Sequence, residues 1–320
     1  MKAFPRTRAA DKTLVRRHSK NEKIRSYFSQ WKEEMILVTG AAGKTGQAII
    51  RALLKRKKPI RALVHKDNQI QLVQGLGGQE VVAGDMCSQK TMNQVVQGVR
   101  AVYHICPNVS PEEINIGQVV INAAQSAEVE HIVYHSVLHP QIESMPHHWE
   151  KMRVEEQLFK SGLSYAILQP APYMQNILAY WNDIIKKNRY ALPFSEDTRL
   201  SYVDLEDVAE VAAIVLNESG HNGAIYELCG KEILSQIEIT QILSQYLGHK
   251  VDAKVIPIEE WEVIARNMGL GDYQVKTLIK MFRYYDRFGF VGNSRILECL
   301  LNRSPTSYAT FIERTIRERQ

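Results

Sequence analysis

The 320-residue chain predicts an α/β fold, a parallel sheet wrapped by helices with a smaller α+β part toward the C-terminus. Three observations carry this. From Met35 onward, short apolar, β-branched runs alternate with amphipathic segments of helical period, the pattern of βαβ units. A glycine-rich turn follows the first apolar run. Beyond Gln169 the alternation loosens into helices interrupted by short strands. The length suits one sizeable core with a satellite, since single cores tend to stop growing at about 250–300 residues.

Strands are expected over Met35–Val38, Ile60–His65, Glu80–Ala83, Ala101–Ile105, His131–His135 and Ser164–Leu168. Helices are expected over Thr45–Lys57, Thr91–Gln97, Glu113–Ala127 and His148–Ser161. Further on, Asp207–Val215 and Ser235–Leu247 read as helical, and Ala224–Leu228 and Val251–Val255 as extended. The organisation expected is therefore a basic extension at 1–34, a dinucleotide-binding unit at 35–170 and a substrate-side part at 171–320, partly interleaved with it.

The formal charge of +5 is misleading. Residues 1–34 hold ten Lys or Arg against four Asp or Glu, a net of +6, which leaves −1 for the rest. A broad nucleic-acid footprint needs a basic stripe on the folded part and is not predicted. The extension reads as a dispensable tail, with translation also able to start at Met35, or else as a transit segment or an arm for nucleic acid or anionic membrane. No apolar run is long enough for a membrane span or a secretory signal, so a cytoplasmic protein is expected. Cys87, Cys106, Cys229 and Cys299 show no paired spacing and read as reduced thiols, without a metal site.

In Gly40-Ala41-Ala42-Gly43-Lys44-Thr45-Gly46, three glycines at three-residue spacing join a strand to a helix. Such glycines let the backbone turn tightly and approach a pyrophosphate resting on the helix N-terminus. This predicts a Rossmann-type, doubly wound parallel sheet that binds a nicotinamide dinucleotide. Lys44 and Thr45 can add a cation and a hydroxyl to the phosphate contacts, or simply open the helix toward solvent. About 20 residues past the turn, an acidic residue marks NAD and a basic one NADP. The second strand ends in His65-Lys66, which favours NADP(H), although Asp67 follows. Arg61 lies near the start of that strand, away from the ligand edge. Asp85 and Met86 close the third strand at that edge, where Asp85 can accept from the adenine amino group or cap the next helix. Cys106 and Pro107 end the fourth strand and are expected to line the groove.

Longer phrases narrow the reading. His135-Ser136-Val137-Leu138-His139-Pro140, His147-His148-Trp149-Glu150-Lys151, Gln169-Pro170-Ala171-Pro172-Tyr173-Met174-Gln175-Asn176 and Tyr202-Val203-Asp204-Leu205-Glu206-Asp207-Val208-Ala209 resemble the NmrA-like family of atypical short-chain dehydrogenase/reductases. Tyr226-Glu227-Leu228-Cys229-Gly230 and, more weakly, Ser304-Pro305-Thr306-Ser307-Tyr308 extend the resemblance over nearly everything from Met35 onward.

In reductases of that superfamily, a tyrosine acid precedes by one helical turn a lysine that holds the nicotinamide ribose. The resemblance assigns the lysine to Lys151, but His147 stands at the tyrosine position. Residues four apart share a helix face, so the two can address one ligand if the helix includes His147. A histidine can supply a proton near neutral pH. A solvated Lys151–Glu155 pair is the competing assignment for the lysine. Ser136 can donate to a substrate carbonyl or the nicotinamide amide, or satisfy backbone; Tyr173 and Asn176 can face the substrate, with Tyr173 an alternative acid or a packing residue. His131, His135 and His139 begin in a strand, where four-residue spacing separates them too far for one ion. The catalytic candidates are thus Lys151, His147, Ser136 and Tyr173. An NADPH-dependent reductase of a quinone or similar conjugated carbonyl is expected, the alternative being a non-catalytic NADP(H) sensor that acts through a regulatory protein partner.

Overall fold

The computed structural model describes residues 34–319. Apart from Glu34, the basic extension lies outside them. The elements run β1 Ile36–Val38, α1 Lys44–Lys55, β2 Ile60–Val64, α2 Ile70–Gln74, β3 Glu80–Ala83, α3 Gln89–Val95, β4 Ala101–His104, α4 Glu113–Ser126, β5 His131–His135, α5 Pro146–Lys160 and β6 Tyr165–Pro170. The second half continues with α6 Trp181–Lys187, β7 Arg189–Leu192, β8 Leu200–Ser201, α7 Leu205–Asn217, β9 Ala224–Leu228, β10 Ile233–Leu234, α8 Gln236–Leu247, β11 Asp252–Val255, α9 Ile258–Asn267, α10 Asp272–Phe288, α11 Arg295–Leu301 and α12 Tyr308–Arg319.

Seven strands form one sheet in the order β3-β2-β1-β4-β5-β6-β9, and every neighbouring pair is parallel. Strands covered on both faces must be apolar throughout. Ile36, Leu37 and Val38 accordingly have no exposed surface. On one face Val38, Tyr103, Val133 and Leu168 share a core with Ile49 and Leu53 of α1 and Val208 and Ala212 of α7. On the other, Leu37, Val102, Tyr134 and Ile167 pack with Met92 of α3, Val120 of α4 and Val154 and Leu158 of α5. Full burial of each such side chain contributes about 1.5–3 kcal/mol. Strand order reverses direction at β1, between β2 and β4, so a crevice opens at the carboxyl ends of these strands.

The chain beyond residue 170 does not stand wholly apart. β9 pairs with β6 and α7 packs against α1 and the sheet. The remainder is built from two small sheets, β7 with β11 and β8 with β10, and the helices α6 and α8 to α12. No helix among the described residues is long and apolar enough to cross a membrane. The ends of the expected elements fall within two residues of expectation. The informative shift is in α5, which starts at Pro146, a residue favoured in the first helical turn because its missing N–H is not needed there. His147 is therefore on the helix.

Candidate active site

The glycine turn is a cradle that side chains would fill. Gly40 has φ +58°, and a Cβ there would lie 3.0 Å from the carbonyl oxygen of Ile105. A Cβ on Gly46 would lie 2.4 Å from the Gly40 carbonyl oxygen and 2.7 Å from Ala41 Cα. Helix α1 thus approaches its preceding turn as closely as hydrogen alone permits. The Gly43 N–H donates to the Gly40 carbonyl at 3.0 Å. The first turn of α1 contains no acidic residue, so its free N–H groups and dipole are open to an anion. A dinucleotide pyrophosphate fits this cradle. Gly43 occupies the cap position without a side-chain bond, so Thr45 is not the helix cap; its side chain lies on the side of Tyr173. Lys44 Nζ donates to Asn176 Oδ1 at 3.4 Å, and desolvation lowers its pKa.

At the end of β2, the backbone N–H groups of His65 and Lys66 both donate to Gln69 Oε1 at 3.0 Å, leaving the two side chains exposed. Arg61 is committed elsewhere, to Glu80 at 2.6 Å and to the Val95 and Gln97 carbonyls. Asp85 accepts the Cys87 N–H at 2.9 Å. It does not cap the helix as expected: Ser88 is the N-cap of α3, accepting from the Thr91 N–H. Met86 is buried, as is Cys106, whereas Pro107 is exposed. Burial pushes the Cys106 thiol far up, so it holds its proton.

Lys151 does not pair with Glu155. Its ammonium lies 2.9 Å from Glu113 Oε1 and 3.3 Å from the His135 carbonyl oxygen, at the carboxyl end of β5. Glu113, the first residue of α4, is 2% exposed and also accepts the Tyr134 hydroxyl at 2.7 Å. Glu155 is turned inward, taking bonds from Ser136 Oγ and Gln169 Nε2. Ser136 is 3% exposed and its hydroxyl is directed beneath α5.

His147 shares the opening of α5 with Lys151, as the four-residue spacing implies. Its Nδ1 is buried and without a hydrogen-bond partner among the described residues. Burial, His148 and Lys151 push His147 down to about 2. It is neutral at pH 7, which corrects the expectation that it supplies an imidazolium proton there. His148 is 1% exposed and packs edge-on against Phe290. The Tyr173 hydroxyl meets His135 Nε2 at 2.5 Å; His135 is buried and Tyr173 half-buried.

Helix α10 reaches over this edge. Tyr273 donates to Glu150 at 2.5 Å, and Gln274 to the Asn108 carbonyl at 3.4 Å. Two of the six described non-glycine residues with positive φ lie in the same loops: Val109, after β4, has φ +49° and His139, after β5, φ +51°. A β-branched residue in the left-handed region is costly and is retained where surrounding structure imposes it.

Glu113, Glu150, His135 and Tyr273 are site residues that sequence reasoning missed. For Glu113 a signal existed, an acidic residue opening the helix that follows a strand ending at the ligand edge. The partners of the other three come from distant segments and leave no local pattern.

Comparison with known proteins agrees with this geometry. The model of the NmrA-like family matches residues 32–317. The NAD(P)H azoreductase of Xenophilus azovorans is 30% identical over 238 residues, 74% of this chain and 82% of that protein. Quinone oxidoreductase 2 of Escherichia coli is 26% identical over 279 residues, 86% and 96% of the two chains. The crystal structure of an NADPH-dependent quinone oxidoreductase from E. coli, complexed with NADPH, superposes with a TM-score of 0.77 at 25% identity, covering 88% of this chain and all of that one. With its parallel sheet, glycine cradle and family match spanning nearly all the described residues, this chain belongs to the NmrA-like family, among the atypical short-chain dehydrogenase/reductases.

Proposed function

We propose that the protein is an NADPH-dependent oxidoreductase that reduces a quinone or a similar small conjugated carbonyl. The observation that carries this reading is one shared edge of the sheet. A cradle restricted to glycine ends β1, and a lysine ammonium anchored by a buried glutamate sits at the end of β5. Similarity to proteins described as an NAD(P)H azoreductase and an NADPH-dependent quinone oxidoreductase supports the chemistry. A cytoplasmic setting suits the four free cysteines.

Bound NADPH supplies the hydride. The residues of the chain do the rest. Gly40, Gly43 and Gly46 admit the pyrophosphate, with Lys44 and Thr45 beside it. Lys151, kept in place by Glu113 and the His135 carbonyl, offers its one remaining donor to a nicotinamide ribose hydroxyl. His147, as a neutral imidazole, polarises the substrate carbonyl through an N–H, and the proton of the product comes from water. Asp85, Met86, Cys106 and Pro107 border the groove.

The exposed pair His65 and Lys66 meets the 2′-phosphate. Replacing both with Ala is expected to weaken NADPH binding about tenfold or more, the loss of charge-assisted bonds, while NADH binding stays unchanged. Parallel calorimetric titrations check this; equal loss for both cofactors contradicts it. The reaction itself is tested by NADPH consumption against a panel of quinones, enals, ketones and azo dyes. Saturable consumption with at least one quinone is expected. Its absence across the panel, together with different affinities for NADP⁺ and NADPH, would favour the sensor, because only a ligand that distinguishes two states can shift them.

A further inference from the structure

A row of three rings, two of them buried and Tyr173 half-buried, runs from β4 through β5 to the loop after β6, and the proposed reaction does not use it. The Tyr103 hydroxyl lies 2.6 Å from His135 Nδ1, and His135 Nε2 lies 2.5 Å from the Tyr173 hydroxyl. Tyr103 is 0% and His135 7% exposed. Burial, with Lys151 and His104, pushes His135 down to about 3. At pH 7 the imidazole is neutral and carries a single proton between its two nitrogens.

That proton has a determined place. Among the described residues, the only hydrogen-bond partner of the Tyr103 hydroxyl is His135. A buried O–H left without an acceptor is costly, so Tyr103 donates to Nδ1. The imidazole proton is then on Nε2 and is donated to the Tyr173 oxygen. Tyr173 keeps its own hydrogen free to point onward.

What lies onward is the glycine turn. The Thr45 side chain lies near enough to the Tyr173 hydroxyl to offset part of the upward pull of burial on it, with no hydrogen bond between them, and Lys44 is bonded to Asn176, three residues past Tyr173. We infer that Tyr103 and His135 hold Tyr173 as an obligate hydrogen-bond donor to a phosphate oxygen of the bound dinucleotide, making Tyr173 a cofactor-binding residue and not the acid of the reaction. Burial also raises the Tyr173 phenol above its ordinary value, which suits a hydroxyl that keeps its proton. The inference rests on the NADP(H) reading above and adds a direction to one of its contacts.

The test uses the full chain with ¹⁵N-labelled histidine and no ligand. His135 should appear as the Nε2–H tautomer, and Tyr103→Phe, which alters a residue away from the groove, should produce a mixture. In titrations, Tyr173→Phe should weaken NADPH about tenfold, as expected for loss of a bond to a charged group. Adenosine 2′-monophosphate, which has no pyrophosphate, should bind the variant and the unaltered protein alike. An Nδ1–H tautomer in the unaltered protein overturns the inference, and so does undiminished NADPH binding by Tyr173→Phe or equal weakening of both ligands. If the unaltered protein binds no NADPH, the cofactor reading itself falls, a result distinct from a variant that binds as well as its parent.

Discussion

Lowering the pH from 7 to 5 is expected to remove several kcal/mol of stability, out of the roughly 5–15 kcal/mol typical of folded proteins. Burial is the largest cause in pushing His104, His131, His135, His147 and His148 down to about 4, 4, 3, 2 and 4. In the unfolded chain each returns to 6.5. Because the folded values are depressed, their full contribution is present above pH 6.5 and is lost as the pH falls toward the folded values. Taken singly, a fully buried histidine costs about 1.4 kcal/mol per pH unit across that window, or about 2 kcal/mol at pH 5. The interacting pairs His104–His135 and His147–His148 and the part-exposed His131 together contribute less than five such amounts. Glu150 and Glu155 are raised by burial and act in the opposite sense, but only close to the carboxylate range. Urea midpoints at pH 7 and pH 5 measure the difference. A midpoint that does not move would show that these histidines take up protons without unfolding.

Glu113→Ala is expected to destabilise the protein by about 3–5 kcal/mol, the cost of leaving one member of a buried ion pair alone. The side chains of Lys151 and Glu113 are only 15% and 2% exposed, and the Tyr134 hydroxyl loses the same acceptor. Replacing the pair together, as Glu113→Gln with Lys151→Met, should restore much of the stability, since the stranded charge is gone. It should not restore turnover, because no ammonium remains for the ribose. Chemical denaturation and NADPH consumption separate the two effects. If the double variant is no more stable than Glu113→Ala, the pair is not what Glu113 supplies.

The sheet was legible because period and burial coincide. Ile36-Leu37-Val38 is apolar throughout since both its faces are covered, and the glycines report a steric fact that can be read residue by residue. The start of α5 was misplaced by two residues because His147 and His148 carry no helical period, while Pro146, the residue that opens the helix, was passed over. The short strands β7, β8 and β10 escaped notice. They have four residues or fewer and pair only within two-stranded sheets, so no alternation could build up. Lys151 is legible from its phrase, and the only partner the sequence suggests for it, as a competing assignment to the ribose, is Glu155, four residues on. The actual partner, Glu113, lies 38 residues away on α4, and only the packing of α4 against α5 brings it there. The electrostatic state of His147 was equally hidden, since a depressed pKa depends on what buries the ring and not on its neighbours in the chain.

The central claim, a dinucleotide lying in the glycine cradle, is tested most directly by calorimetric titration of NADPH into the unaltered protein and into Gly46→Ala. The added methyl would stand 2.4 Å from the Gly40 carbonyl oxygen, an overpacking that costs about 1–3 kcal/mol and forces the turn open. Saturable one-to-one binding is expected for the unaltered protein. For Gly46→Ala, checked by circular dichroism to be folded, binding should be at least about tenfold weaker. Equal NADPH affinity in the two proteins, or none in the unaltered one, would contradict the account.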